Sequence, residues 1–213
     1  MNFEIVGTYT KVGHMTLSDG YTNLAPGKIA SVVTYVEMRE RPSTPPPTAT
    51  AGLSLRRVVK PDLAWYRKLY RAVGEDWLWF SRLRMNDDEL ASILHDPLVE
   101  LFALSSNNLD RGLLELDCRS SPDVEITSFG MTADMMGQGA GRYFIAEALT
   151  AAWAHSPRRV WLHTCTLDHA RALGFYIKEG FVPYKRAIEV SDDPRITGEI
   201  PRSAAGHVPV IGG

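Results

Sequence analysis

The sequence has few cysteines, no long apolar run and almost no net charge, and each shortage excludes a class of protein. Its two cysteines, Cys118 and Cys165, are too few for a disulfide framework in 213 residues and fit a reducing compartment. The apolar stretches are far shorter than the roughly 20 residues that span a bilayer. The N-terminus also lacks the basic start and following apolar block that are typical of a secretion signal. A net charge of −2 argues against nucleic acid as a main partner. We therefore expect a cytoplasmic protein with neither a membrane nor a nucleic-acid partner.

Proline and threonine are concentrated in one segment, 41–51, which reads RPSTPPPTATA and predicts an extended linker. The linker divides the chain into an N-terminal arm (1–51, linker included), a main domain (52–190) and a C-terminal tail (191–213). The arm carries two predicted strands, 3–9 and 29–38, and the second is rich in β-branched residues. Such an arm could pack beside the central sheet, cover a substrate cleft or exchange with a partner subunit.

The main domain alternates between strand and helix patterns. Tyr66, Leu69, Tyr70 and Val73 share one helical face, and the sequence from Asn86 to Glu89 resembles a capping box at the start of a second helix. A third helix follows the turn near 137–142, and a fourth is predicted over 168–179. Strands are predicted over 53–58, 99–104, 113–118, 124–131, 159–165 and 183–190. The order β-α-α-β-β-β-α-β-α-β predicts an α/β domain with helices packed on a sheet.

A glycine-rich turn, with glycines at Gly137, Gly139 and Gly141, lies between the predicted strand 124–131 and the helix after it. Backbone N–H groups at such a turn point outward, and the helix dipole adds roughly half a positive charge, so the turn can hold phosphate. Arg142 stands where a dinucleotide fingerprint needs its third glycine, and no Gly-Lys-Ser/Thr follows as in a nucleotide P-loop. On its own the turn fits coenzyme A or a plain strand-to-helix connection.

Two longer stretches give the turn its context: 125–141 reads EITSFGMTADMMGQGAG, and 167–181 reads LDHARALGFYIKEGF. Together they resemble the two core motifs of the GNAT superfamily of acyl-CoA-dependent N-acetyltransferases, over about residues 52–190. The matching positions are Gly139, Gly141, Ala172, Tyr176, Gly180 and Phe181. The resemblance implies a GNAT fold of α/β (α+β) class, in which helices flank a mixed central sheet, here with an N-terminal β-rich arm. It also implies acetyl-CoA as the cofactor.

The resemblance further implies a binding site for that cofactor. In the family, the strand before the glycine turn splays from the next strand and its N–H groups hold the pantetheine, while the turn holds the pyrophosphate. Met136 replaces the Arg or Gln that begins the family's turn motif, which removes a polar side chain often near the pyrophosphate. His169 stands where many members carry a cofactor-contacting asparagine, and it could donate to the cofactor or simply lie in the first turn of its helix. The implied cofactor-binding residues are Phe129, Gly130, Met131, Met136, Gly137, Gln138, Gly139, Ala140, Gly141, Arg142, His169 and Tyr176.

Two residues are implied in catalysis. Tyr176 occupies the position of the family's general acid, and a phenol can protonate a thiolate; the alternative is a core tyrosine packed with Phe175. Glu125 matches a glutamate that commonly accepts the amine proton through water, although a strand glutamate that only faces solvent fits the pattern too. Glu115, on the preceding strand, is a second candidate for the base, and a chain of ordered water needs no such residue.

In the family, the segment between the first two helices shapes the acceptor pocket, and here it spans 74–85. Trp77, Trp79, Arg82 and Arg84 are the predicted substrate-binding residues, because an aromatic wall with arginines could hold a carboxylate or phosphate. The alternative is that the two tryptophans anchor an apolar loop. Small amines, amino acids, aminoglycosides and protein N-termini all remain open as acceptors. The expected activity is acetyl transfer to the primary amine of a small molecule, and the alternative is a non-catalytic acyl-CoA-binding or interaction module.

Metal binding and oligomerisation have weaker support in the sequence. His163, Cys165 and His169 form an H-x-C-x-x-x-H cluster, but it offers only three ligands, and no Cys-x-x-Cys or His-Glu-x-x-His accompanies it. We expect no metal site there.

GNAT domains often form homodimers and the arm adds surface, yet no heptad or apolar stripe requires one.

Overall fold

The computed structural model describes residues 17–43, 47, 52–137 and 139–212. Within them the chain forms a seven-stranded sheet whose members are β1 Lys28–Met38, β2 Leu53–Val58, β3 Val99–Ser106, β4 Leu109–Asp117, β5 Asp123–Met131, β6 Arg159–Cys165 and β7 Val182–Asp192. The strand order is β2-β3-β4-β5-β6-β1-β7. Neighbouring strands are antiparallel except β5 and β6, which are parallel, so the sheet is mixed as predicted.

Helices cover both faces of this sheet. They are α1 Leu63–Gly74, α2 Ser81–Arg84, α3 Asp87–Leu94, α4 Ala140–Trp153, α5 Ala172–Lys178 and α6 Pro194–Thr197. Leu113 of β4 packs in one apolar cluster with α1 and α3, whereas the next residue, Leu114, packs in another with α4 and α5. Successive strand residues face opposite sides of a sheet, so the two clusters lie on its two faces. None of the helices in the described part of the chain combines the length and apolar character that crossing a bilayer requires.

Local signals in the sequence account for several of these boundaries. The predicted capping box is present: the Asn86 side chain accepts from the N–H of Glu89, and the Glu89 side chain accepts from the N–H of Asn86. The predictions for β2 and β6 are confirmed at both ends. The helix predicted over 168–179 is wrong at its start, because the first helical residue is Ala172. The carboxylate of Asp168 instead accepts from the backbone N–H of Cys165, a local turn that competes with helix formation.

The arm contributes an internal strand of the sheet. β1 lies between β6 and β7 and is antiparallel to both, with Val33 opposite Cys165 and Lys28 opposite Asp192. Of the roles left open for the arm, the structure therefore shows pairing within the central sheet. The other predicted strand of the arm, 3–9, lies outside the described residues. The division of the chain into arm, domain and tail stays a prediction.

The residues after β7 pack back onto the sheet. Asp193 and Arg195 are almost fully buried and form an ion pair at 2.7 Å. The Arg195 guanidinium also donates to three backbone carbonyls between residues 204 and 208, which ties the tail to the start of α6. A third apolar cluster forms here from Ile29, Leu78, Phe80, Ile200, Ala204 and Ala205. The tail therefore covers the beginning of β1 and meets the loop after α1.

Candidate active site

A fork in the sheet lies between β5 and β6. The two strands are paired only at their beginnings, where Asp123, Val124 and Glu125 lie opposite 159–161. Beyond Glu125, β5 stays paired with β4 as far as Met131, while β6 pairs with β1 as far as Cys165. The strands therefore diverge after Glu125 and its partner Trp161, and we call these two residues the vertex of the fork.

The glycine turn lies between the end of β5 and α4. Gly137 and Gly139 have φ values of 79° and 81°, in the left-handed region that favours glycine, and a Cβ at either would meet no atom within 4 Å. Gly139 is the N-cap of α4 and has no side chain to accept from the first N–H groups of the helix. An uncapped helix N-terminus with open space in front of it can bind an anion. Gln138 lies outside the described residues.

The flanks of the turn are Met136 and Arg142. Met136 is 36% exposed beside the turn, so its apolar side chain is not part of the core there. Arg142 is exposed, and its Nε lies 3.6 Å from a carboxylate oxygen of Glu179. That distance and exposure describe a loose surface contact.

Aromatic packing connects the fork to the glycine turn. Phe129 of β5 stacks on Phe144 of α4 with ring centroids 4.6 Å apart, and its edge contact with Tyr176 spans 6.1 Å. A Cβ added at Gly141 would lie 3.7 Å from both the Met131 and Phe175 side chains. The structure therefore brings the predicted residues of β5, of the α4 N-terminus and of α5 into one region.

Tyr176 is buried in that region. Its ring makes edge contacts with Phe129, Phe175 and Phe181. Burial raises the pKa of Tyr176, and the nearby charge of Asp168 raises it further. The phenol is thus fully protonated at neutral pH, which is the state that a proton donor requires.

A cleft of about 280 Å³ opens beside the start of α5. His169 lies on its wall, in the loop three residues before Ala172 and not in the first turn of the helix. Nδ1 of His169 accepts from the N–H of Arg171 at 3.1 Å, and the imidazole meets Trp77 edge-on at 5.2 Å. The other lining residues are Val32, Thr34, Thr164, Cys165, Thr166, Asp168, Ala170 and Leu173.

The two predicted substrate-binding tryptophans make several contacts within the protein. Nε1 of Trp79 donates to Asp168 at 3.3 Å, and its ring packs directly on Gly74 and Gly130. The ring of Trp77 contacts the imidazoles of His169 and of His207 in the tail, with centroid distances of 5.2 and 6.0 Å. These contacts support the interpretation that the tryptophans anchor the loop. A role in substrate binding stays a prediction.

The two predicted arginines are both engaged by glutamates of the protein. Arg84 lies over the ring of Phe80 at 4.1 Å and donates to Glu199 at 2.9 Å. The Arg82 side chain is 13% exposed and forms an ion pair with Glu115, whose side chain is fully buried. The sequence predicted that Arg82 binds a ligand, because no local sequence pattern indicates that Glu115 is its buried partner.

Glu115 is the centre of a closed polar network. Besides Arg82, it accepts from the hydroxyls of Tyr66 and Thr127, each at 2.8 Å. Burial alone would raise the pKa of Glu115, but the charge of Arg82 and the three hydrogen bonds outweigh it and lower the pKa. We call these four residues the Glu115 network. Because Glu115 is fully buried and accepts from three side chains of the protein, it is poorly placed to take a proton from a substrate.

Glu125 lies at the vertex of the fork and pairs with a histidine. Its Oε1 lies 3.7 Å from Nδ1 of His163, and the two side chains are 22% and 45% exposed. Partial burial would lower the pKa of His163, but the interaction with the nearby Glu125 carboxylate outweighs it and raises the pKa. The ring of Tyr35 lies 5.6 Å from that of His163. We call Glu125 and His163 the vertex pair.

Sequence reasoning missed the vertex pair. From the sequence, His163 was considered only with Cys165 and His169, as a cluster of metal ligands. Among the described residues no group of three or more such side chains is arranged to hold a metal ion. The alternation of β6 does place His163 on the same face as Trp161. The sequence does not specify the parallel register of β5 and β6, which places Glu125 opposite Trp161.

Neither a protein-family model nor a curated protein matches the sequence. Solved structures do resemble the fold. A GCN5-related N-acetyltransferase from Kribbella flavida is 16% identical, with 81% of this chain and 63% of that chain covered and a TM-score of 0.53. A GCN5-related N-acetyltransferase from Sphaerobacter thermophilus is 17% identical, with 76% of this chain and 52% of that chain covered and a TM-score of 0.54. A conserved protein of unknown function from Staphylococcus epidermidis is 16% identical, with 78% of this chain and 64% of that chain covered and a TM-score of 0.53.

These similarities concern architecture. The chain spans about half to two thirds of the length of these three structures, and the sequence identities are low. The mixed sheet with helices on both faces agrees with them. The protein therefore has the GNAT fold, and the resemblance that the two sequence motifs indicated is confirmed at the level of the fold.

Proposed function

We propose that the protein is an acetyl-CoA-dependent N-acetyltransferase that acetylates the primary amine of a small molecule by direct attack. One observation carries the proposal: the fork has an open, uncapped helix N-terminus beyond one end, a buried phenol on one side and a carboxylate at its vertex. These are the three provisions that acyl transfer to an amine needs, namely an anion site, a proton donor and a proton acceptor. The structural neighbours support acyl transfer as the class of reaction.

The residues at the fork fit the cofactor. Backbone N–H groups of the glycine turn and the first turn of α4 would hold its pyrophosphate, since Gly139 offers them no side-chain partner. The β5 edge from Phe129 to Met131, which is not paired with β6, would hold the pantetheine. Bound acetyl-CoA supplies the thioester whose carbonyl carbon the amine attacks.

The side chains then divide the two proton transfers. Tyr176 is protonated at neutral pH and donates to the departing thiolate. Glu125 receives the proton of the attacking amine, directly or through water, from the opposite side of the fork. Separating the donor and the acceptor across the fork allows each to act without exchanging protons with the other.

The proposal is tested by measuring thiol release from acetyl-CoA with a panel of amines, together with the thermal shift that acetyl-CoA produces. We expect a shift and turnover with at least one amine. No shift at saturating acetyl-CoA would exclude the proposal. A shift without turnover across the panel would favour the acyl-CoA-binding module instead.

Tyr176→Phe tests the assignment of the acid. We expect turnover to fall about 100- to 10,000-fold while the acetyl-CoA thermal shift is kept, because only the hydroxyl is removed. Tyr143→Phe is the matched control, since Tyr143 is a similarly buried tyrosine of the same apolar cluster. An unchanged rate in Tyr176→Phe would remove this residue from the mechanism.

A further inference from the structure

His163 lies where the two strands of the fork separate. It is two residues beyond Trp161, the partner of Glu125, and alternation along β6 places it on the same face as that vertex. Ile126, the residue after Glu125, packs with α4 and α5, so Glu125 and the vertex pair face the opposite side of the sheet. That is the side of α1 and of the loop that carries Trp79.

The imidazole of His163 lies beside a carboxylate and an aromatic ring. Nδ1 faces Oε1 of Glu125 at 3.7 Å, and Tyr35 lies 5.6 Å away, ring to ring, on the neighbouring strand. A carboxylate beside Nδ1 of a histidine favours a proton on that nitrogen, which leaves Nε2 as the nitrogen that can accept one. With 45% of its side chain exposed, the His163 imidazole is accessible to a ligand.

We infer that His163 is the residue that takes the proton from the attacking amine, with Glu125 holding its imidazole in place and stabilising the imidazolium. The inference rests on the proposed function and refines the part of Glu125 in it. As the amine nitrogen bonds to the thioester carbonyl carbon, its proton passes to Nε2 of His163. The carbon–sulfur bond breaks, and the thiolate takes the proton of Tyr176. Imidazolium and phenolate then return to their starting states by exchange with solvent.

The charges around His163 favour this exchange. Carboxylates face it from three elements, namely Glu125 of β5, Glu189 of β7 and Asp168 after β6. The other titratable groups nearby are Tyr35 of β1, Tyr184 of β7, Lys185 over the Tyr35 ring and Arg159 over the Tyr184 ring. The raised pKa of His163 brings it closer to that of an amine and to neutral pH, where a base is most effective. The same acidic surroundings favour an acceptor that arrives as a cation.

The test compares pH profiles of kcat/KM for two amines of different pKa, in the wild type, His163→Gln and Glu125→Gln. An acid limb that stays in place when the amine is changed belongs to the enzyme. We expect such a limb in the wild type. In His163→Gln we expect the limb to be lost and the rate to fall at least 100-fold. In Glu125→Gln we expect the limb to move to lower pH. His155→Gln is the matched control, because His155 forms a similar pair with Glu100 at 3.4 Å and is 37% exposed. We expect it to keep the wild-type rate.

Two further readouts keep the inference separable from folding and from the proposed function. The acetyl-CoA thermal shift must persist in each variant, and the His163 imidazole is titrated by NMR in wild type and Glu125→Gln, with a lower pKa expected in the variant. A His163→Gln enzyme with the wild-type rate and acid limb, or an unchanged imidazole titration, would overturn this inference alone. A wild type that acetylates no amine would overturn the proposed function and this inference with it.

Discussion

Glu115 and Glu125 lie on neighbouring strands and face the same side of the sheet, yet they have opposite surroundings. Glu115 is fully buried and is held by Arg82, Tyr66 and a threonine hydroxyl. Glu125 is 22% exposed and pairs with the half-exposed His163. Both were candidates for the base on sequence grounds. The comparison shows that the donors which the tertiary structure directs at a carboxylate decide whether it is enclosed by the fold or left partly open to solvent.

The comparison is tested most severely by Glu115→Gln. We expect it to lower the free energy of unfolding by about 3–5 kcal/mol, because the buried Arg82 guanidinium loses its counter-charge. Chemical denaturation measures the loss. The folded state lowers the pKa of Glu115 from its ordinary 4.5. Its contribution is therefore present in full above that value and is lost as pH falls through the lower folded pKa. A difference that stays below about 1 kcal/mol at neutral pH would contradict the structural role.

Close packing beside the Glu115 network gives the next largest effect. A Cβ at Gly130 would lie 2.6 Å from Cγ1 of Val73 and 3.0 Å from the Trp79 ring. We therefore expect Gly130→Ala to cost about 1–3 kcal/mol in unfolding free energy and to change tryptophan fluorescence. Gly141→Ala is the control, because its Cβ would have only ordinary contacts at 3.7 Å. Equal stability of the two variants would show that the loop can move away from β5 at no cost.

The vertex pair should give the smallest effect on stability. We expect Glu125→Gln to change the unfolding free energy by less than about 1 kcal/mol, because partly exposed ion pairs contribute little. Since the folded pKa of His163 is raised above its ordinary 6.5, the stabilisation is present in full below that value and is lost as pH rises through the folded pKa. Denaturation of wild type and variant at about pH 5.5 and 8.5 should show the difference shrinking at the higher pH. A difference that grows with pH would contradict the pairing.

Local patterns predicted much of the fold. The capping box from Asn86 to Glu89 and the limits of β2 and β6 follow from neighbouring residues alone, because they depend on hydrogen bonds and side-chain alternation over a few positions. The start of α5 did not follow, since Asp168 accepts from Thr164, Cys165 and Trp79 instead of capping a helix. Trp79 is 89 residues away along the chain, beyond the reach of any local pattern.

The sequence by itself determined the order of the strands β1 to β7 and of the helices α1, α3, α4 and α5, the glycine turn before α4 and the two motifs that resemble the GNAT superfamily, because each depends on contiguous residues. Only the tertiary structure decided that β1 lies between β6 and β7, that Arg82 binds Glu115, and that His163 meets Glu125 at the vertex of the fork. Those three outcomes depend on strand register and on contacts between distant segments. Such contacts form when the whole apolar core is buried, and no short stretch of sequence specifies them.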